Sequence, residues 1–332
     1  MSTPSNQAIS KNATNGLSSF FQKHGSLVAL ILIVIAASLR YDTFFTQTNI
    51  INMLRQNSML GYIAIGMTFV ILTRGIDLSV GSLLAISALT AAVMSPFGLF
   101  WALAVPIIVS TALGSVNGLL IAKAKIEPFI VTLAMMIGVR GFVYAYTHER
   151  TMSVDPSIAD AFKVFGRGVV LGIPVPIWIF AVLLLLAGVV LKYTSFGRHV
   201  FAVGGNEEAS KLMGLRTDRI KILVYAISGG LSGLAGIVLA SRLGGVAQPV
   251  AGEMWELDAI AAVAIGGTLL TGGRGSIFGT FVGIMLMGVI LNIINMEGSI
   301  NSWWQPIIRG LFLIVIVIVQ AKLNKGSNKL KE

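Results

Sequence analysis

Apolar and polar positions alternate along this chain on a long scale. Runs of about twenty mostly hydrophobic residues are separated by short polar connectors. Runs of that length match the roughly 20 residues that an α-helix needs to cross a bilayer. The pattern predicts about ten such helices, near 26–41, 50–73, 78–95, 99–122, 128–146, 176–193, 221–241, 258–270, 276–296 and 302–320. The eighth run is too short to cross about 30 Å of hydrocarbon at 1.5 Å per residue, so it is expected to be re-entrant or broken. The fold class is therefore an all-α polytopic membrane protein, with a tail over 1–25, a transmembrane domain over 26–320 and a second tail over 321–332.

Composition sharpens this picture. Of 332 residues 55% are hydrophobic and 11% charged, about half the charged share of an ordinary soluble domain. The absence of cysteine excludes disulfides and thiol nucleophiles, and the three histidines, His24, His148 and His199, are scattered. Metal catalysis has no ligand set. The first run, preceded by Lys11 and Lys23 and ending near the small residues Ala36 to Ser38, has features of a signal peptide. Because further runs follow at once, it reads as an uncleaved helix.

The net charge of +10 takes its meaning from position. With the N-terminus inside, Arg74, Lys123, Lys125, Lys192, Arg198, Lys211, Arg216, Arg219, Lys221 and Arg274 fall in cytoplasmic loops. Only Arg40, Arg150, Lys163, Arg167 and Arg242 fall outside. That bias puts both termini in the cytoplasm and makes 147–176 the longest periplasmic loop.

The segment 194–220 is a polar island. Within it Asn206 is placed to cap a short helix, Glu207 and Glu208 occupy its first turn, and Gly214 stops it. One short helix is expected on the cytoplasmic face. Two readings stand: a helix held on lipid headgroups by Lys211, Arg216, Arg219 and Lys221, or a docking element for a protein partner.

Two break points share a spacing. Thr73, Gly75 and Gly81 in "TRGIDLSVG" recur as Thr271, Gly273 and Gly279 in "TGGRGSIFG", which predicts an internal repeat, parallel or inverted. Gly75 frees a turn after the second span, and Asp77 or Ser79 caps the third. Small residues four apart (Gly114 and Gly118, Gly229 and Gly233, Ser232 and Gly236, Gly279 and Gly283) predict close helix contacts. No Gly-Lys dipeptide occurs, so there is no phosphate-binding loop.

Polar residues inside the spans are the candidates for a solute path: Asn52, Arg55, Gln56 and Asn57, then Asn117, Arg140, Asn292, Asn295, Gln305 and Arg309. Amides and arginines match the hydroxyls of a neutral sugar, with Trp303 and Trp304 as stacking faces. The same residues also serve as interhelical hydrogen-bonding groups. Asp77, Glu127 and Asp258 lie near span ends, which argues against an ion-coupled carrier. Nothing resembles a nucleophile with its base, so an intramembrane enzyme is also disfavoured.

Several stretches carry a resemblance. Glu208-Ala209-Ser210 followed by Gly214 is similar to the "EAA" loop of ATP-binding-cassette (ABC) importer permeases, with Ser210 in place of alanine and no closing proline. "MTFVILTRGIDLSVGS", "EPFIVTLAMM", "FAVGGNEEASKLMG" and "WELDAIAAVAIGGTLLTGGRGSIFGT" resemble the ribose-transport type of permease over about residues 44–320. Arg74 departs from that family's glycine. The resemblance implies the membrane subunit of a bacterial monosaccharide importer in the inner membrane, itself without enzymatic activity or bound cofactor. It would pair with a second permease copy or a homologue, with ATPase subunits that use ATP and magnesium, and with a periplasmic sugar-binding protein. Asn206, Glu207, Glu208, Ala209, Ser210 and Gly214 would then couple it to the ATPase. A nucleoside or branched-chain amino acid permease is the near alternative.

Overall fold

Four of the described helices start at a side-chain cap, supplied by Thr46, Thr194, Asn206 and Ser276. The computed structural model describes residues 25–298 and, beyond them, helical positions at Trp304, Ile307, Gly310, Leu311 and Ile314. Helix α1 covers Gly25–Arg40, and α2 covers Gln47–Leu72, its first turn capped by the Thr46 hydroxyl accepting from the Asn49 amide at 3.4 Å. There follow α3 (Val80–Met94), α4 (Leu99–Lys123) and α5 (Pro128–Thr147), the last opened by a proline whose missing N–H is not needed there. A cap segment comes next: strand β1 (Met152–Ser153), helix α6 (Ala159–Arg167) and the hairpin of β2 (Val169–Val170) and β3 (Ile173–Pro174). Helices α7 (Val175–Tyr193), α8 (Ser195–Gly205), α9 (Glu207–Leu212) and α10 (Thr217–Arg242) lead to β4 (Val246–Ala247), α11 (Trp255–Ile265) and α12 (Ile277–Glu297).

Six helical segments are long and apolar enough to cross a membrane, among the described residues: α4, α5, α7, α10, α12, and α3 together with the turn Ser95–Phe97 that continues it. Nine of the ten expected runs hold a helix there. The tenth, with Trp303, Gln305 and Arg309, lies mostly outside the described residues, as do both expected tails apart from Gly25.

The seam between α4 and α10 is built from small residues. A methyl group at Gly114 would collide with the Tyr225 carbonyl and one at Gly229 with the Ser110 carbonyl; in the adjoining seam of α10 with α3, one at Gly236 would strike the Leu84 carbonyl. Removing the side chains lets the backbones touch, where dispersion contacts replace the hydrophobic effect that lipid does not supply.

Helix α10 has 26 residues, about 39 Å at 1.5 Å each, and joins two differently furnished ends. At its C-terminal end the Ser241 hydroxyl donates to the Phe162 carbonyl (2.6 Å) and accepts from the Gly166 amide (2.7 Å), which seats α6 across that end with Phe162 fully buried. Strand β1 adds to it by pairing antiparallel with β4, Met152 opposite Ala247. The opposite end carries α8 and α9. Two helices fill the expected polar island where one was expected: Val200 and Val203, three apart, give α8 a buried face against the bundle. The glycines at 197, 204 and 205 hide that helix in the sequence.

Helices α3 and α11 are short because the chain on their N-terminal sides is folded into the bundle. They have 15 and 11 residues, about 22 and 16 Å. Their first turns meet: the backbone at Gly81 lies against the Gly252 carbonyl and the Glu256 carboxylate, with no room for a methyl group. Non-helical backbone at such depth needs partners from the protein itself.

Candidate functional site

The first feature is the stretch linking α2 to α3. Asp77 is fully buried, and its Oδ1 accepts from the Ser79 amide (3.0 Å) and the Ser79 hydroxyl (2.6 Å). Its Oδ2 accepts from the Ser228 hydroxyl at 2.8 Å, near the middle of α10. Asn117 of α4 donates to the Ser79 hydroxyl at 2.9 Å, while its own Oδ1 has no hydrogen-bond partner among the described residues. Hydroxyls of Thr132 and Tyr225 both donate to the Ile76 carbonyl at 3.3 Å. Three helices, α4, α5 and α10, thus supply hydrogen bonds to one irregular segment. Ser79 holds the N-cap position of α3 without a side-chain cap bond of its own; the Asp77 carboxylate does that work for it.

The turn expected at Gly75 falls instead on Arg74, which takes a left-handed backbone (φ 65°). Gly75 is required by space: the Tyr225 ring carbon that bears the hydroxyl would lie 3.2 Å from any Cβ there.

The second feature is the start of α11. Glu256 and Asp258 are 9% and 7% exposed, so both carboxylates sit inside the bundle in the helix's first turn, where the helix dipole favours negative charge. Arg140 of α5 donates to the carbonyls of Pro249 (2.8 Å) and Ala251 (2.7 Å), holding the chain that leads into α11, and Tyr144 hydrogen-bonds Glu253. This acidic corner was not singled out in the sequence except for Asp258 as a span end. The available signal was three carboxylates within six residues next to Gly252.

The remaining path candidates are dispersed. Arg55 is half-buried with its Nε lacking a partner among the described residues, whereas Gln56 and Asn52 are exposed. Asn57 turns into α12, donating to the Met53 carbonyl (2.8 Å), and Gly288 makes room for its amide. Asn292 and Asn49 exchange reciprocal amide bonds of 2.8 and 3.1 Å. Asn295 and Trp304 are exposed.

The third feature is the end carrying α9. Asn206 is its N-cap, accepting from the Ala209 amide at 3.0 Å, and Gly214 leaves it with φ 82°. Glu207 is paired with Lys211 (2.7 Å) and with Lys221 of α10 (2.6 Å). Partial burial pushes the Glu207 carboxyl upward, but the two ammonium groups outweigh it and hold it below the usual carboxylate range. Ser210 is buried, whereas Glu208 is exposed, and Leu212 and Met213 are 90% and 71% exposed. Behind α9 lies a polar cavity of about 610 Å³ bordered by Arg74, Lys125, Glu127, Glu207, Glu208 and Tyr225. The two expected break points touch here: the Gly273 amide donates to the Leu72 carbonyl at 3.0 Å.

A bundle of long apolar helices, with short broken helices and buried carboxylates inside it, defines a multi-pass membrane protein. The family described as "Branched-chain amino acid transport system / permease component" matches residues 49–317, and the chain belongs to that family. It is 43% identical over 325 residues to the ribose import permease protein RbsC of Haemophilus influenzae, covering 96% of this chain and 99% of that one. It is 44% identical to the protein of the same name in Bacillus subtilis, over 91% and 93% of the two chains. The L-arabinose transport system permease protein AraH of Escherichia coli is 35% identical over 92% of this chain and 93% of its own. No solved structure matches.

Proposed function

We propose that this chain is the membrane subunit of an ABC importer that carries a monosaccharide into the bacterial cytoplasm. The observation that carries the reading is end-to-end similarity, above 40% identity, to permeases named for ribose import. The more distant L-arabinose permease handles another five-carbon sugar, which supports a pentose-sized solute over the branched-chain amino acid of the family's description. Reconstitution in vesicles with the partner ATPase and sugar-binding protein tests it: ATP-dependent uptake of a labelled pentose is expected. Uptake of leucine or a nucleoside without any sugar uptake would overturn the sugar reading, and uptake driven by an ion gradient without ATP would overturn the importer class.

Helix α9 is the ATPase-docking element in this reading. An acidic residue, Glu208, beside the uncovered apolar side chains of Leu212 and Met213 supports a protein partner over a lipid surface, because apolar groups at a polar end gain from being covered. Its end of the bundle is then cytoplasmic and the α6 end periplasmic, in agreement with the lysine and arginine bias; both termini are cytoplasmic and the membrane is the inner one. Two permease copies, or this chain and a homologue, form the pore, and the sugar-binding protein docks on the α6 end. Arg55, Gln56, Asn57, Asn117, Arg140, Asn292 and Asn295 are the candidates for the path. The paired Thr-Gly break points, now in contact, support descent from a repeated unit.

The chain itself binds no cofactor in this reading. ATP and magnesium act in the partner.

A further inference from the structure

At this end of the bundle two residues with side chains, Arg74 (φ 65°) and Lys125 (φ 58°), take a left-handed backbone, and Arg74 is the one at the end of α2. An L-residue with a side chain pays about 1 kcal/mol or more for it, and such strain persists where surrounding contacts over-determine it. Here the contacts are specific. The Arg74 guanidinium donates through Nε to the Gly204 carbonyl (2.7 Å) and through Nη2 to the Gly205 carbonyl (2.5 Å). These are the last carbonyls of α8, directly before Asn206, the N-cap of α9. A cation at a helix C-terminus is favoured twice, by the unsatisfied carbonyls and by the dipole.

The backbone around this contact is shaped to admit it. At Gly272 a methyl group would strike the Arg74 side-chain stem, and at Gly204 it would strike the Leu72 carbonyl, which also accepts the Gly273 amide. Three chain segments therefore meet at one arginine: the end of α2, the α8–α9 junction, and the turn before α12. Helix α9 packs mainly on α8 and α10. Its connection to α2, whose residues from Asn57 to Leu72 are all buried, runs through the junction that Arg74 grips.

We propose that Arg74 is a positioning residue for energy coupling: it ties the α8–α9 junction to the end of α2, so that a displacement of α9 is passed to α2 and the α11–α12 turn as one body. The role rests on the docking reading of α9. It predicts that loss of the tie leaves the protein folded and its partners bound while ATP hydrolysis and solute movement come apart.

Arg74→Gly is the informative change, because glycine adopts the left-handed backbone freely and removes only the side chain. The test uses the reconstituted transporter and measures sugar taken up per ATP hydrolysed. It also measures crosslinking between a cysteine at 209 and cysteines in the ATPase cleft. In R74G the crosslink is expected to persist while sugar per ATP falls about fivefold or more, within the usual span of a coupling free energy. Arg74→Lys, which reaches one carbonyl, should recover part of the ratio, whereas Arg74→Met, which keeps the stem against Gly272 without a donor, should not; equal recovery by both would show a packing role and overturn the proposal. A wild-type ratio in R74G with the crosslink intact overturns the proposal and leaves docking standing. Absence of the crosslink in the unsubstituted chain, in every nucleotide state, overturns docking and the proposal with it. If R74G does not reach the membrane, Arg74→Gln is measured in its place and read by the same two results.

Discussion

The Ser228 hydroxyl on α10 donates to the buried carboxylate of Asp77 at 2.8 Å, across 151 positions of sequence. That bond and the two from Ser79 let an irregular, charged segment rest inside the bundle. Replacing Asp77 with alanine strands three donors, each costing about 1–3 kcal/mol when buried without a partner. Asp77→Ala should therefore be poorly recovered from the membrane. Ser228→Ala removes one donor and should lower the melting temperature in detergent by only a few degrees. Equal melting of both variants and the unsubstituted protein would show that the network does not hold the α2–α3 segment.

Arg140 has a geometric task as well as a candidate place in the path. Its two bonds to Pro249 and Ala251 hold the chain entering α11. Alanine at Arg140, Arg55 or Asn117 should reduce sugar uptake several-fold with assembly on the ATPase preserved. Wild-type uptake in all three would remove them from the path.

For α9, the exposed carboxylate of Glu208 and the left-handed Gly214 (φ 82°) make separate tests. Glu208→Lys reverses the charge at the docking face, and Gly214→Val forces a β-branched residue into a conformation that costs it about 1–2 kcal/mol. Either should weaken the complex or release ATP hydrolysis from control by sugar-loaded binding protein. The lipid-surface reading expects both to be nearly silent, and expects joint neutralisation of Lys211, Arg216 and Arg219 to disturb insertion instead.

The Glu207 pair responds to acid. Its carboxyl sits below its ordinary 4.5, so its stabilising contribution is present above that value and is lost as pH falls through the lower folded one. A spin label at residue 209 should stay immobile from neutral pH down to about pH 4.5 and become mobile below it. Glu207→Gln should be mobile throughout, and an unchanged spectrum in that variant would dismiss the pair as an anchor.

Without a phosphate-binding loop, the chain alone should hydrolyse no ATP. Inhibitor-sensitive hydrolysis by the highly purified chain would contradict this expectation.

How much of this protein is legible in one dimension follows from the range of the forces involved. The helical membrane class, the Asn206 and Gly214 boundaries and the glycine seams rest on interactions spanning a few residues, or on the length of an apolar run against a bilayer. All of these can be read directly along the chain. The placement of Asp77 could not be read that way. Its carboxylate ends an apolar run, which suggests an exposed cap, and only the packing of α4 and α10 around it makes the position buried. The same holds for Arg74, whose partners stand 130 and 131 positions away, and for the meeting of Gly81 with Gly252. A side chain's partner across the bundle depends on how helices tilt and where they break. Those angles are set by the summed contacts of every seam at once, which no local window contains.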